Sequence, residues 1–196
     1  MRKLFGLSAV AIVISMLMFA CNSDNVVSTN ESNVIRPLAI GNYWIYSFDS
    51  SDVSFFFYFD TMRVVSYENL NGNQAYGVKI NSNANNKLYF INKEDGQYYF
   101  GRMYHDSTFT YFPLMYVKYP VNINDTIVGP FNGKMKCLSL DASFNGFTGC
   151  VEIKEIRQNN DINYHEYWKP GIGLVGAEYD YNGKHYMNKL KDYHIQ

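Results

Sequence analysis

Apolar and polar positions divide the chain into an apolar leader, a polar segment and a long region of short apolar runs. Residues 4–20 are almost uninterruptedly apolar, and residues 22–36 (NSDNVVSTNESNVIR) are rich in Asn and Ser without a helical or strand period. From Pro37 onward, short apolar and aromatic runs alternate with Gly, Asn and Asp. Runs of this kind between turn residues are typical of β-strands, so the pattern predicts an all-β body.

The runs after Pro37 predict a series of strands that are joined mostly by tight turns. Neighbouring strands should therefore pair antiparallel, and Asn182-Gly183 between two alternating segments is the clearest hairpin signal. The expected product is an antiparallel meander that forms a curved sheet, a half-open barrel or a two-layer sandwich. The predicted strands cover residues 43–48, 54–67, 75–80, 87–92, 97–104, 111–118, 126–128, 134–140, 150–156, 164–168, 174–181 and 184–193.

The leader has the three parts of a secretory signal. Arg2 and Lys3 form a positive start, residues 4–20 form the apolar middle, and the small residue Ala20 precedes Cys21. This order predicts export and removal of residues 1–20 as a signal peptide. The apolar stretch is also close to the shortest length that spans a bilayer, so a retained membrane helix is the alternative.

Ala20-Cys21 resembles a lipobox, the cleavage motif of bacterial lipoproteins. The resemblance implies that Cys21 carries a diacylglyceryl thioether and that a further acyl chain, such as palmitate, is attached to its amine. Several acyl chains hold a protein stably on a membrane that it does not span. Asn22 stands after the cysteine where an inner-membrane retention signal often has Asp. The resemblance therefore implies lipid anchoring to the outer membrane, with the periplasmic or surface face left open.

The pattern divides the exported chain into a tether and one domain. Residues 21–36 are interpreted as the lipidated cysteine and a flexible tether, whose 15 residues after Cys21 would span roughly 20 Å as a coil. Residues 37–196 are long enough for one domain with its own core. Without Arg2 and Lys3, 15 of the 17 basic residues remain against 18 acidic ones, a net charge of −3. No basic patch is visible, which argues against a nucleic-acid partner.

Two cysteines besides Cys21 belong to the predicted domain. An exported chain meets an oxidising compartment, so a disulfide between Cys137 and Cys150 is a candidate. If Asn145-Gly146 forms a tight hairpin, Cys150 lies opposite Asp141 and Cys137 opposite Lys154, which is too far out of register for a bond. A disulfide would then need an irregular loop or strands in different layers. It would close a loop of about 14 residues and contribute about 3 kcal/mol.

Aromatic residues are unusually abundant, with 18 Tyr, 14 Phe and 2 Trp. Strands favour aromatic residues, so most of them are expected to form the core. The run from Phe55 to Phe59 has aromatic side chains on both of its faces, so one face could line a cavity for a lipid, an apolar ligand or a sugar. The candidate ligand-lining residues are Trp44, Phe55, Phe57, Phe59, Tyr98, Phe100 and Trp168.

The sequence carries no readable catalytic, metal or cofactor motif. It has no G-x-S-x-G elbow, no H-E-x-x-H and no phosphate-binding glycine loop. Pro170-Gly171 suits a type II turn, and Gly173 suits a bulge or a close backbone approach. The histidines lack ligand spacing, and the carboxylates, Glu152, Glu155 and Glu166 among them, form no readable pair. The protein is therefore expected to be non-enzymatic, although folding could still bring two carboxylates together.

Three segments, PLAIGNYWIY at 37–46, NGFTGCVEI at 145–153 and PGIGLVGAE at 170–178, occur in order before a terminal LKDYHI. In this combination they resemble uncharacterised Gram-negative lipoproteins with a LolA-like antiparallel β domain. The resemblance implies a curved sheet that can hold an acyl chain, and it supplies no catalytic residues. The functional expectation is a non-catalytic envelope lipoprotein that binds an apolar or glycan ligand or a partner protein. The alternative is a structural or protein-interaction module with a solid aromatic core.

Overall fold

The fold was analysed in a computed structural model of the chain. It describes residues 34–48, 61–81, 87–105, 108–128, 133–156, 163–181 and 183–196, with the side chains of residues 102–109 excepted. The predicted signal peptide, Cys21 and the candidate residues Phe55, Phe57 and Phe59 lie outside the described residues. In the described part of the chain, no helix combines the length and the apolar content needed to cross a bilayer.

One twelve-stranded antiparallel sheet accounts for all the regular structure in these ranges. The strands are β1 (Tyr43–Phe48), β2 (Thr61–Leu70), β3 (Asn73–Ile80), β4 (Lys87–Lys93), β5 (Gly96–His105), β6 (Thr108–Lys118), β7 (Thr126–Val128), β8 (Lys134–Phe144), β9 (Phe147–Ile156), β10 (Asn163–Lys169), β11 (Gly173–Tyr181) and β12 (Lys184–His194). The all-β, antiparallel prediction is therefore confirmed.

The strand order is β6-β5-β4-β3-β2-β1-β12-β11-β10-β9-β8-β7. Two meanders, β1–β6 and β7–β12, are joined where the first strand pairs with the last, with Tyr43 opposite His194. The two edge strands, β6 and β7, follow each other along the chain. The sheet curls into a nearly closed, barrel-like shape, so one of its faces is turned inward and forms the core.

Asn-Gly pairs form two of the hairpin turns. Asn71 and Gly72 have φ values of 52° and 85°, and Asn145 and Gly146 have 51° and 83°. Two successive residues with positive φ match the right-handed twist of the flanking strands, and Asn and Gly adopt that conformation at the lowest cost. Pairing of Tyr181 with Lys184 likewise confirms the hairpin that was predicted around Asn182-Gly183.

The core face carries the inward side chains of most strands, including Trp44, Val64, Val78 and Ile153, each at most 1% exposed. Ile35 and Arg36 belong to the same core and are 2% and 1% exposed. The polar pattern assigned these two residues to the tether, because a single Arg after a stretch rich in Asn and Ser gives no sign of burial. The domain therefore begins at least as early as Val34, and residues 34–36 are part of it.

The cysteines lie at different levels of the hairpin formed by β8 and β9. Cys137 is opposite Ile153 and Cys150 is opposite Ala142, where the predicted register gave Lys154 and Asp141. The difference arises from irregularities in the β8–β9 pairing, one of them between Phe147 and Cys150 on β9, which shift the register between Cys137 and Phe144. Both cysteines are free, buried thiols in the structure, so the candidate disulfide is not formed there. Burial raises the pKa of both thiols.

Gly176 in β11 allows the tip of β8 to pack closely over the outer face of the sheet. A Cβ atom at this position would lie 2.2 Å from Phe144 Cε1 and 2.5 Å from the backbone oxygen of Asn188. The Phe144 ring is itself fixed, because it stacks on Tyr167 with ring centroids 4.3 Å apart. The backbone oxygen cannot move without disturbing the β11–β12 pairing, so neither neighbour gives way easily.

Substituting Gly176 with alanine should therefore lower the free energy of unfolding by about 3 kcal/mol, at the upper end for overpacking. Gly101→Ala is the matched control, because its Cβ would meet only side-chain ends, those of Leu114 and Phe112, at 3.1 Å. Urea unfolding of both variants measures the difference. Equal losses in the two variants would contradict the packing described for Phe144.

Candidate functional site

A positive charge lies inside the sheet, on the Arg36 side chain. Four aromatic rings surround its guanidinium group, and we call these four rings the aromatic cage. The Cζ atom is 4.7 Å from the centroid of Phe90, 5.6 Å from those of Trp44 and Tyr116, and 5.8 Å from that of Trp168. A cation over a ring face is attracted by the ring quadrupole, by about 2 kcal/mol or more where water is excluded. The aromatic cage thus offsets part of the free-energy cost of removing the charge from water.

Hydrogen bonds add to the environment of Arg36, although its Nε atom has no acceptor among the described residues. Its Nη2 donates to Gln97 Oε1, and its Nη1 lies 3.6 Å from the sulfur of Met62. The Arg36 carbonyl accepts from Asn92 Nδ2 at 3.0 Å and from Gln97 Nε2 at 3.4 Å. Burial lowers the pKa of Arg36 below its ordinary value. An arginine nevertheless stays protonated in proteins, so the core holds a fixed positive charge.

The turn between β10 and β11 holds the segment that carries Arg36. Gly171 N donates to the carbonyl oxygen of Val34 at 2.9 Å, and the Trp44 indole donates to Ile172 O at 2.7 Å. The Arg36 side chain passes close to Gly173. A Cβ atom at this position would lie 2.8 Å from Arg36 Cγ, so the position suits glycine. Gly171 and Gly173 have φ values of 79° and 109°, so both predictions for this turn are consistent with the structure.

A negative group, the carboxyl of Glu166, lies on the same face. The two-residue period of β10 places Tyr164, Glu166 and Trp168 on the core face together. The Tyr164 hydroxyl donates to Glu166 Oε1 at 2.9 Å, and the Trp168 indole donates to Oε2 at 2.8 Å. Burial raises the pKa of Glu166 above its ordinary value of 4.5, and these two bonds and the charge of Arg36 only partly oppose that effect.

Asn188 extends the polar region across the sheet. Glu166 and Asn188 are both in register with Ala177, so the three residues form one row on the core face of β10, β11 and β12. Asn188 is 7% exposed, and among the described residues its Oδ1 atom has no hydrogen-bond donor. A buried acceptor without a donor is unfavourable by about 1–3 kcal/mol. The row therefore contains an unsatisfied acceptor and, two strands away, a carboxyl group.

A row of tyrosines borders the Glu166–Ala177–Asn188 row. Tyr164, Tyr179 and Tyr186 are in register on the same three strands, one step further along the face. The Tyr179 and Tyr186 rings stack with centroids 4.8 Å apart, and the Tyr164 ring lies 6.3 Å from that of Tyr179. We call these two rows together the polar site. Flat rings next to hydrogen-bonding groups can hold a ligand that combines C–H faces with polar groups.

The structure brings together only some of the predicted ligand-lining residues. Trp44 and Trp168 both belong to the aromatic cage, where they surround Arg36. Phe100 lies on the other face of the sheet, in a small cluster with Leu70 and Ala75. Tyr98 shares that outer face, where its hydroxyl donates to Asp95 at 2.7 Å. Sequence reasoning missed Arg36, Gln97 and Asn188 as members of the interior, and no spacing in the sequence distinguishes them from surface residues.

Titratable side chains also meet on the outer face of β9–β12. His165 Nδ1 lies 2.7 Å from Glu152 Oε1, and His185 Nδ1 lies 2.8 Å from Asp180 Oδ1. Tyr167 donates to Glu178 at 2.7 Å, and Glu178 Oε2 lies 3.6 Å from His185 Nε2. Over the described ranges, no group of three or more His, Cys, Asp and Glu side chains is arranged to hold a metal ion.

The buried carboxyl of Glu166 predicts a specific pH dependence. Because its pKa is raised in the folded protein, the folded state binds the proton more tightly than the unfolded state does. Its contribution to stability therefore falls as the pH rises from about 4.5 through the folded pKa. Gln cannot titrate, so the free energy of unfolding of Glu166→Gln, relative to the wild type, should increase with pH over that window. Urea unfolding at several pH values checks this, and parallel curves would contradict it.

Comparison with protein-family models, curated proteins and solved structures found no match for the chain.

Proposed function

We propose that this chain is a lipid-anchored protein of the bacterial outer membrane whose β domain binds a glycan without catalysing a reaction. The secretory pattern of residues 1–20 and the lipobox-like Ala20-Cys21 support the anchor. The observation that carries the binding role is the unsatisfied Asn188 Oδ1 atom, which lies across Ala177 from Glu166 in the polar site. A buried acceptor of this kind is satisfied when a ligand supplies a hydroxyl or amine donor.

The chemistry of the core face favours a glycan over an acyl chain, which the LolA-like resemblance implies. Arg36 and Glu166 are 1% and 9% exposed, so charged groups lie on the surface that an acyl chain would need. An acyl chain offers no hydrogen bond to Asn188 and would keep its acceptor unsatisfied. A sugar has hydroxyl donors for Asn188 and Glu166 and C–H faces that stack on tyrosine rings.

Tryptophan fluorescence should report this binding, because the chain has 2 Trp and Trp168 donates directly to Glu166. The lipidated protein, purified in detergent, is titrated with oligosaccharides released from bacterial envelopes and, separately, with oleate. We expect a saturable change with the oligosaccharides, a loss of that change in Asn188→Leu, and no saturable change with oleate.

Asn163→Leu is the matched control, because Asn163 is an exposed amide on β10 that bonds to Asp180 on the outer face. It should bind the oligosaccharides as the wild type does. Saturable binding of oleate alone would favour an acyl-chain carrier. Binding of neither ligand would favour a structural or protein-interaction module with a solid aromatic core, and it would overturn the proposed glycan role.

A further inference from the structure

We propose that the polar site is specific for a ligand with a primary ammonium group, which binds over Ala177 between Glu166 and Asn188. This inference rests on the proposed glycan role and deepens it, because it makes an amino sugar the preferred ligand. Three features of the site favour such a group: the small residue between the two polar side chains, the unused acceptor positions and the charge of Glu166.

The arrangement of the two polar side chains follows from the register of β10, β11 and β12. Glu166 and Asn188 flank Ala177 on one face, and adjacent strands are about 4.8 Å apart, so the two backbones are separated by about 10 Å. Ala177 has only a methyl group between two longer side chains. A ligand group placed over this methyl group would lie between the Glu166 carboxyl and the Asn188 amide.

Two side chains of this row have unused acceptor positions. Glu166 has two oxygens, and each accepts one bond, from Tyr164 and from Trp168. A carboxylate has about four acceptor positions, so further donors can be accommodated. Asn188 Oδ1 has no donor among the described side chains. A group that offers several donors and needs no acceptor fits this set, and an ammonium group, with its three N–H bonds, is such a group.

The charge around the site favours a cation. Burial raises the pKa of Tyr164 well above its ordinary value, and the negative charges of Glu166 and Glu155 add to that effect. Arg36 supplies the opposing positive charge, but its guanidinium is directed to Gln97 and to the aromatic cage. Hydrogen bonds from a charged donor to a carboxylate are roughly twice as strong as neutral ones. A cationic ligand therefore gains more from Glu166 than a neutral ligand does.

The test compares glucosamine, glucose and butylammonium as probes of the purified lipidated protein by tryptophan fluorescence. Glucosamine should bind at least about tenfold more tightly than glucose, because only glucosamine forms the charged bond to Glu166. Glu166→Gln should remove that preference, so that glucosamine and glucose bind this variant with equal affinity. Glu152→Gln is the matched control, since Glu152 bonds to His165 on the outer face, and it should keep the preference.

The outcomes separate this inference from the proposed function. Equal affinities for glucosamine and glucose in the wild type would overturn the ammonium preference and leave the glycan role intact. Binding of butylammonium without binding of either sugar would support the ammonium site and overturn the glycan role. Binding of none of the three probes would overturn the inference, and the comparison of probes on the wild type requires no variant to fold.

Discussion

Replacing Arg36 with alanine should lower the free energy of unfolding by about 3–5 kcal/mol, the range for removing a large buried side chain. The variant loses the contacts between the guanidinium and four rings and leaves a cavity inside the aromatic cage. It also leaves Gln97 Oε1 without its Arg36 donor, at a position that water does not reach. At about 2–4 °C per kcal/mol for a chain of this size, the melting temperature should fall by roughly 10 °C.

Two further variants define the origin of that loss. Arg36→Met fills most of the volume without the charge and should be clearly less destabilised than Arg36→Ala, because buried charges contribute little net stability. Arg63→Ala is the surface control, since the Arg63 guanidinium lies 5.0 Å from the Tyr43 ring on an exposed residue. It should lose less than about 1 kcal/mol. An Arg36→Ala protein as stable as Arg63→Ala would show that Arg36 is not part of the core.

Replacing Cys21 with alanine should move the protein from the membrane fraction to the soluble fraction of the cell. All of the proposed membrane attachment is through the fatty chains on Cys21. A protein that lacks these chains has no comparable anchor. Fractionation followed by immunoblotting measures the shift, and metabolic labelling with a fatty-acid probe should give no signal for the variant.

Cys137→Ala is the matched control for the anchor, because Cys137 is a buried thiol of the folded domain. This variant should remain in the membrane fraction and should incorporate the fatty-acid probe as the wild type does. Membrane association of Cys21→Ala at the wild-type level would contradict the lipid anchor and would favour a retained apolar helix in residues 4–20.

Much of the fold could be predicted from local patterns. The alternation of Trp44, Ile45 and Tyr46 follows the two-residue period of a strand, and Asn145-Gly146 favours the positive φ angles of its hairpin. The irregularities in the β8–β9 pairing could not be predicted in this way. They are a property of two paired strands, which the residue pattern of either strand alone does not contain. The register of the two cysteines was wrong for that reason.

The interior of the sheet was harder to predict than its strands. Arg36 follows a polar segment, and its burial depends on rings contributed by four different strands and on a turn that is more than 100 residues away in sequence. Glu166 was noted only as one of many carboxylates, since the register that aligns it with Ala177 and Asn188 is a tertiary property. Aromatic content indicated a ligand surface, whereas the structure uses two of those aromatic residues to hold Arg36.

Both proposals depend on the position of Arg36 and Glu166 inside the sheet, and proton NMR of the Arg36 side chain tests that position most directly. Four rings lie within 6 Å of its Cζ atom, so the account predicts that the Arg36 side-chain protons resonate far from their random-coil positions and exchange slowly with water. Random-coil shifts with fast exchange would place Arg36 in solvent and would contradict the account.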